Sequence, residues 1–209
     1  MELFLAENFQ LLLPDYLTST DVNRLKNSLL QFRTDAKSIN YSRFYRATSV
    51  HSLYQGDRIM GIPCPQFVKD EYQIKKYADG CLLLSNTCDM SSDNKRDMPM
   101  YVCLAPVSSL EDYKIALEQS GVKPDAIPSK ITALQHQHIT NLFYLPGMED
   151  TSNGFVCYLD QCFYFPLTSL QKNIQNINRI RASSLDYFGL YLLALKLSFH
   201  FCRLPLESL

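Results

Sequence analysis

Two short apolar runs, GCLLLSNTC (residues 80–88) and MYVCLAPV (residues 100–107), constrain this chain more than any other feature. Each is too short for a typical helix. Asp79 and Gly80 open the first and Pro106 closes the second, and continuous apolar stretches bounded in this way read as strands buried on both faces. The polar loop SSDNKRDMP between them implies two antiparallel neighbours at the centre of a sheet.

The flanking segments add helices and shorter strands. In YQGDRIMGIPCP, Gly56-Asp57 supplies a turn and Ile59 and Ile62 are apolar, while Pro63 and Pro65 forbid a continuing central strand. SLEDYKIALEQSG has Ser109 as N-cap, acids in its first turn and Gly121 past its end, which predicts a helix. IPSKITALQHQH reads as a second helix with Pro128 near its start. NLFYLP and GFVCYLDQCFYFPL are aromatic-rich strands, the latter folding back at Asp160-Gln161.

At the N-terminal side, Val22, Leu25, Leu29 and Phe32 recur at helical spacing behind a capping Ser19-Thr20-Asp21, predicting a helix over 20–34. Its Arg24, Lys26 and Arg33 read as a solvated face. In NYSRFYRATSV, Arg43 and Arg46 stand among aromatics, an arrangement read as packing over a sheet edge in preference to stacking on bases. A last helix is expected from Leu185 to Arg203, capped by Ser183 or Ser184. Together these elements predict an α+β fold on a small, curved antiparallel sheet with N-terminal, inserted and C-terminal helices, sandwich and barrel both fitting.

With 209 residues and 46% hydrophobic composition, one domain over 1–209 is expected: a helical part at 1–50, a β-rich core at 51–170 and the terminal helix at 183–204. The formal net charge of -1 excludes a global basic field for nucleic acid and leaves only a local patch open. Seven cysteines, an odd number set among apolar neighbours, read as reduced core residues. MELFLAENFQ lacks a basic n-region and a small-residue cleavage site, so the cytoplasm is the expected compartment. FGLYLLALKLSFHF, broken by Lys196, falls short of the ~20 apolar residues of a spanning helix, and no membrane association is expected.

No complete catalytic signature appears, and the candidates are isolated. Cys88 at a strand end would make a nucleophile if His136 or His138 drew its proton, but Asp89 beside it opposes that. The expected role of the pair is structural: Cys88 fills a small apolar hole and Asp89 accepts turn amides from around Ser91 and Ser92. His136 and His138, placed at a helix end, should diverge by about 200°. Without C-x-x-C or H-x-x-x-H spacing, neither metal nor cofactor is expected. Arg179, Arg181 and Arg203 are read as carbonyl caps or partners of surface acids, ahead of phosphate binding. His200 reads as a core or interface residue.

The C-terminal segment LDYFGLYLLALKLSFHFCRL is more apolar than one helix face requires, so it either crosses the domain centre or meets a partner. Tyr191, Leu195, Phe199 and Arg203 are the residues expected to meet a protein partner.

The order "GD", "GCLLLS", "APVS" resembles the SH3-like barrel of the MazF and PemK toxins, which carry G-D, then R-P-x-x-V-L-S, then P-[IV]-T. Gly56-Asp57, Ser85 and Pro106-Val107-Ser108 match, within residues 54–110. The toxins' phosphate-binding Arg position falls on Asp79 here, and its Pro on Gly80. An endoribonuclease reading therefore relies on Ser108 with Arg58, Lys75 or Lys76. GDRIMGIPCP and LSNTCDM also resemble a group of uncharacterised bacterial proteins with G-D-I, I-P-x-P and [ST]-Q-x-C-D-[IL]. That resemblance, which extends to a terminal helix ending on Arg in LSFHFCRLP, implies a small subunit in a bacterial defence or toxin-antitoxin setting. The expectation is a non-catalytic interaction protein, with the ribonuclease as the alternative.

Overall fold

A computed structural model describes residues 18–20, 23, 41, 44–47, 52–91, 93–94, 97–148, 153–172 and 177–201. The chain divides into two compact units, Met1–Asn40 and Tyr41–Leu209, and the architecture below is that of the second. Of the helix expected over 20–34, Thr20 and Asn23 are helical; the remainder, with Arg24, Lys26 and Arg33, lies outside the described residues, as do Arg43 and Arg203.

The fold is α+β, built on a strongly curled antiparallel half-barrel sheet. Its strands are β1 (Asp57–Ile59), β4 (Cys81–Leu83), β5 (Tyr101–Ser109), β6 (Leu142–Leu145), β7 (Phe155–Tyr158), β8 (Phe163–Pro166) and β9 (Arg181–Ser184). They run in the order β6-β7-β5-β4-β1-β9, with β8 also pairing with β5. As expected, β4 and β5 are antiparallel neighbours, Leu82 opposite Ala105 and Leu83 opposite Leu104. A separate two-stranded ribbon is formed by β2 (Pro63–Val68) and β3 (Glu71–Lys76). Among the described residues no helix is long and apolar enough to cross a membrane.

β5 does not end at Pro106 but runs on to Ser109. The reason lies in its two edges. Leu84 N–H donates to Cys103 O and Val107 N–H to Gly80 O, so odd positions of β5 hydrogen-bond toward β4. Pro106 therefore presents its missing donor to the other edge. There β8 pairs only as far as Leu104 and β7 starts at Val107, so no ladder bond is lost. This also corrects the expected hairpin at Asp160-Gln161: β7 and β8 run the same way along β5, one after the other, joined by a 3-10 turn at Leu159–Gln161.

Two layers cover the sheet. Ile59, Cys81, Leu83, Val102 and Leu104 pack with Leu53, Ile62, Met90, Phe163, Leu167 and Leu170. Toward β6, Tyr144 and Val156 pack with Leu110, Tyr113 and Leu134 of α1 (Leu110–Gln119) and α2 (Ile127–Gln135). The α1 boundaries are as expected. Ser109 Oγ accepts from the Asp112 amide at 3.0 Å, and Gly121 takes φ +84°, a left-handed conformation that glycine adopts without a Cβ clash. A short α3 (Leu167–Gln171) follows β8.

The terminal helix α4 spans Tyr187–Phe201 and starts later than expected. Ser183 and Ser184 are not its caps, because they belong to β9, paired with β1 through Asp57–Ser184 and Arg58–Ser183. Leu185 forms an isolated bridge with Tyr45 before the helix begins.

Candidate functional site

α4 has an inner and an outer face, and its one lysine is on the inner. Phe188, Leu192 and Leu193 are buried, and the Phe188 ring meets Phe44 edge-on with centroids 6.0 Å apart. A Cβ at Gly189 would lie 2.8 Å from Phe44 O, so glycine is what lets the helix approach that backbone. Lys196 is 5% exposed, and its Nζ donates to Gln137 O at 2.8 Å and to Ile139 O. No carboxylate forms an ion pair with it among the described residues, and desolvation lowers its pKa to about 8.

Outward point Tyr187, Leu195 (40% exposed), Phe199 (64%) and Phe201, with Tyr191 half-buried between them. Tyr187, Tyr191, Leu195 and Phe199 are four residues apart and so form one stripe. Three of the four expected partner-binding residues, Tyr191, Leu195 and Phe199, are thus brought onto one face. His200 is half-buried, with its ring 4.6 Å from that of Phe201.

The carbonyls that receive Lys196 belong to a tight turn after α2. Gln137 takes φ +60°, and its side chain pairs with the backbone of Tyr144: Nε2 donates to Tyr144 O at 2.8 Å and Oε1 accepts from Tyr144 N–H at 3.1 Å. Because β6 is the last strand on that side of the sheet, Gln137 occupies its open edge as a partner strand would. The same turn overturns the expected divergence of the histidines. α2 ends at Gln135, and the left-handed Gln137 sets the His136 and His138 rings 5.7 Å apart. No group of three or more metal-ligating residues joins them among the described residues.

A second polar centre lies under β1 and β9. Asp57 is fully buried; its Oδ2 accepts from Arg181 Nε and from the Tyr54 amide, both at 2.9 Å. Burial pushes the carboxyl above the ordinary aspartate range, opposed by Ser184, the Tyr54 amide and the guanidinium groups of Arg181 and Arg46. Gly56 precedes it at φ +84°, against Leu185 and Leu190 at distances that leave no room for a Cβ. Arg181 is thus the partner of an acid, but of a buried one where a surface acid is expected. Beside it a cavity of about 190 Å³ is lined by Tyr45, Arg46, Arg181 and Ser183 among others.

The four catalytic candidates are not brought together. Arg58 is buried, stacked 4.0 Å from the Phe155 ring centroid and donating to Asp79 O at 3.2 Å; burial lowers its pKa. It shares a face with Leu82 and Ala105, so strand alternation puts Ser108 on the opposite face, where its hydroxyl lies 2.8 Å from that of Tyr158. Cys88 and Asp89 lie at the other end of β5 from Ser108, on an exposed 3-10 turn beyond Ser85 and Cys103. Cys88 fills no apolar hole; Met90 is the buried residue of that turn. Asn86 Oδ1, at 3.0 Å, accepts the Cys88 amide. Lys75 and Lys76 stand on the exposed ribbon strand β3, and Arg179 is exposed.

Comparison with protein-family models, with curated proteins and with solved structures finds no match. The protein is an α+β half-barrel whose terminal helix exposes an apolar stripe.

Proposed function

We propose that this protein is a non-catalytic interaction subunit that binds a protein partner through the outer stripe of α4. One observation carries the reading: α4 turns its lysine inward and leaves Leu195 and Phe199 exposed. A soluble helix normally does the reverse, and an exposed apolar stripe of this kind marks a surface meant to be covered. The likeness of GDRIMGIPCP and LSNTCDM to bacterial proteins found in defence and toxin-antitoxin neighbourhoods gives this reading its setting. The ribonuclease alternative has less behind it, since Arg58 and Ser108 face opposite ways and Cys88 is remote from both.

The test is purification from the native host of the wild-type chain and of the double variant Leu195→Asp, Phe199→Asp. The wild type should retain a stoichiometric partner, and the variant should lose it while keeping the wild-type melting temperature. A wild type that purifies alone as a well-behaved monomer would refute the proposal. Induced expression that leaves growth and total RNA untouched would remove the ribonuclease reading.

A further inference from the structure

The ribbon β2–β3 has two outer edges, and only one is blocked. Its turn residues Lys69 and Asp70 both have positive φ, 49° and 65°, as in a two-residue primed hairpin turn. In such a hairpin the closing pair, Val68 with Glu71, is hydrogen-bonded, so Cys64, Gln66 and Val68 bond inward to Lys75, Gln73 and Glu71. Pro63 and Pro65 consequently fall at outward positions of β2, where their missing N–H groups make that edge unable to accept another strand. On β3 the outward positions are Tyr72, Ile74 and Lys76, with no proline and no bulge. All six β3 residues are exposed, Tyr72 at 84% and Ile74 at 70%.

We propose that the free edge of β3 pairs antiparallel with β3 of a second copy of this chain, forming a two-fold symmetric dimer. A two-fold axis normal to the sheet requires opposed residues to share a face, so their numbers must sum to an even value. Centred on Gln73, this register sets Glu71 opposite Lys75 of the other copy, twice. On the other face it sets Tyr72 opposite Ile74, twice. Glu71 and Lys75 thus meet opposite charges and the large apolar side chains of β3 meet one another, the arrangement that stabilises cross-strand pairs.

Within one chain Glu71 and Lys75 are four residues apart on a strand, too far to pair, and neither has an ion-pair partner among the described residues. Lys75 instead lies over the Tyr77 ring at 4.6 Å. Antiparallel pairing brings the tip of each hairpin to the base of the other, so the two bodies lie at opposite ends of a four-stranded ribbon. The occupant is thus a second copy, recognised by backbone pairing and by a charge pattern that complements itself.

Sedimentation velocity on the full chain tests this. The wild type should dimerise reversibly, with a dissociation constant on the order of 10 μM, as suits a small interface. Ile74→Pro, which removes an outward donor without touching the bonds to β2, should be monomeric with an unchanged circular dichroism spectrum. Glu71→Lys should weaken the dimer about tenfold, since two pairs become repulsive, and adding Lys75→Glu should restore it. Gln73→Cys should give a dimer cross-linked through residue 73 on oxidation, because the residue opposes its own copy. A wild type monomeric at about 50 times that concentration overturns the proposal. So does a dimer indifferent to Ile74→Pro, or a charge reversal that its counter-substitution does not repair.

Discussion

Lys196 Nζ lies 2.8 Å from Gln137 O, a cation from the terminal helix set on the carbonyl end of the turn after α2. Its pKa, lowered to about 8 from 10.5 by desolvation, has a thermodynamic consequence. From about pH 8 to 10.5 the unfolded chain holds a proton at this site that the native chain has released, so stability rises with pH across that window. Below it the native state carries the cost of a buried charge. Relative to Lys196→Met, whose stability lacks this dependence, the wild type should gain on the order of 2 to 3 kcal/mol across the window. Urea melts of both proteins at a series of pH values measure the difference, and a wild type losing ground with rising pH contradicts the buried amine.

Gln137 does two things at once, and two substitutions separate them. Gln137→Ala removes the clasp on Tyr144 and leaves a left-handed position with a Cβ, which should cost about 2 to 3 kcal/mol. Gln137→Gly removes the same clasp but relieves the backbone, so it should be the more stable of the two by about 1 kcal/mol. Equal losses would mean that the clasp alone matters.

The Asp57–Arg181 pair joins β1 to β9 with both side chains out of water. Asp57→Ala leaves a buried guanidinium without its carboxylate and should lower stability by roughly 3 to 5 kcal/mol. Arg181→Leu strands the acid instead and should unfold at lower denaturant as pH rises above the ordinary aspartate range, because the acid is then left charged with less compensation. Denaturant titration of each variant at about pH 4 and 7 checks both statements.

Cys88 stands exposed on its 3-10 turn, while Cys64, Cys81 and Cys157 are buried. Iodoacetamide should therefore label Cys88 before those three, and mass spectrometry of a short time course reads the order. Rapid labelling here reports exposure alone. Cys88→Ala should shift stability by less than about 0.5 kcal/mol, since it removes no buried group. A large drop would restore a packing role for the thiol.

Much of the centre was legible because its signals are local. The runs at 80–88 and 100–107 are apolar end to end, and Ser109 and Gly121 bracket α1 with a cap and a left-handed stop. The ribbon was missed for an equally physical reason. Pro63 and Pro65 signal the end of a strand, and they do exclude a central one, but at outward positions of an edge strand proline costs no hydrogen bond. Lys69-Asp70 also lacks the Asn-Gly signature of a primed turn.

β9, with the residues RASS, carries no hydrophobic pattern at all; its place is set by Arg181 reaching Asp57 and by backbone pairing to β1. The site was legible in composition and not in direction. Apolar excess in α4 is plain, yet nothing in LYLLALKLSF says that the lysine is the residue turned inward. That depends on carbonyls contributed by Gln137 and Ile139, more than fifty positions away.

The Asp57–Arg181 contact spans 124 positions of the chain. During synthesis Asp57 leaves the ribosome long before the guanidinium that compensates it, at a rate of roughly 5 to 20 residues per second. For that interval β1 has β4 on one side and Asp57 lacks its ion-pair partner, with Arg46 and the Tyr54 amide alone favouring its charge, so the other edge of β1 stays open until β9 arrives. Closure of the β1–β9 seam thereby waits for residue 181: a ribosome-stalled chain that has not yet exposed Arg181 should remain protease-sensitive around β1, and one that exposes it should become protected in a single step.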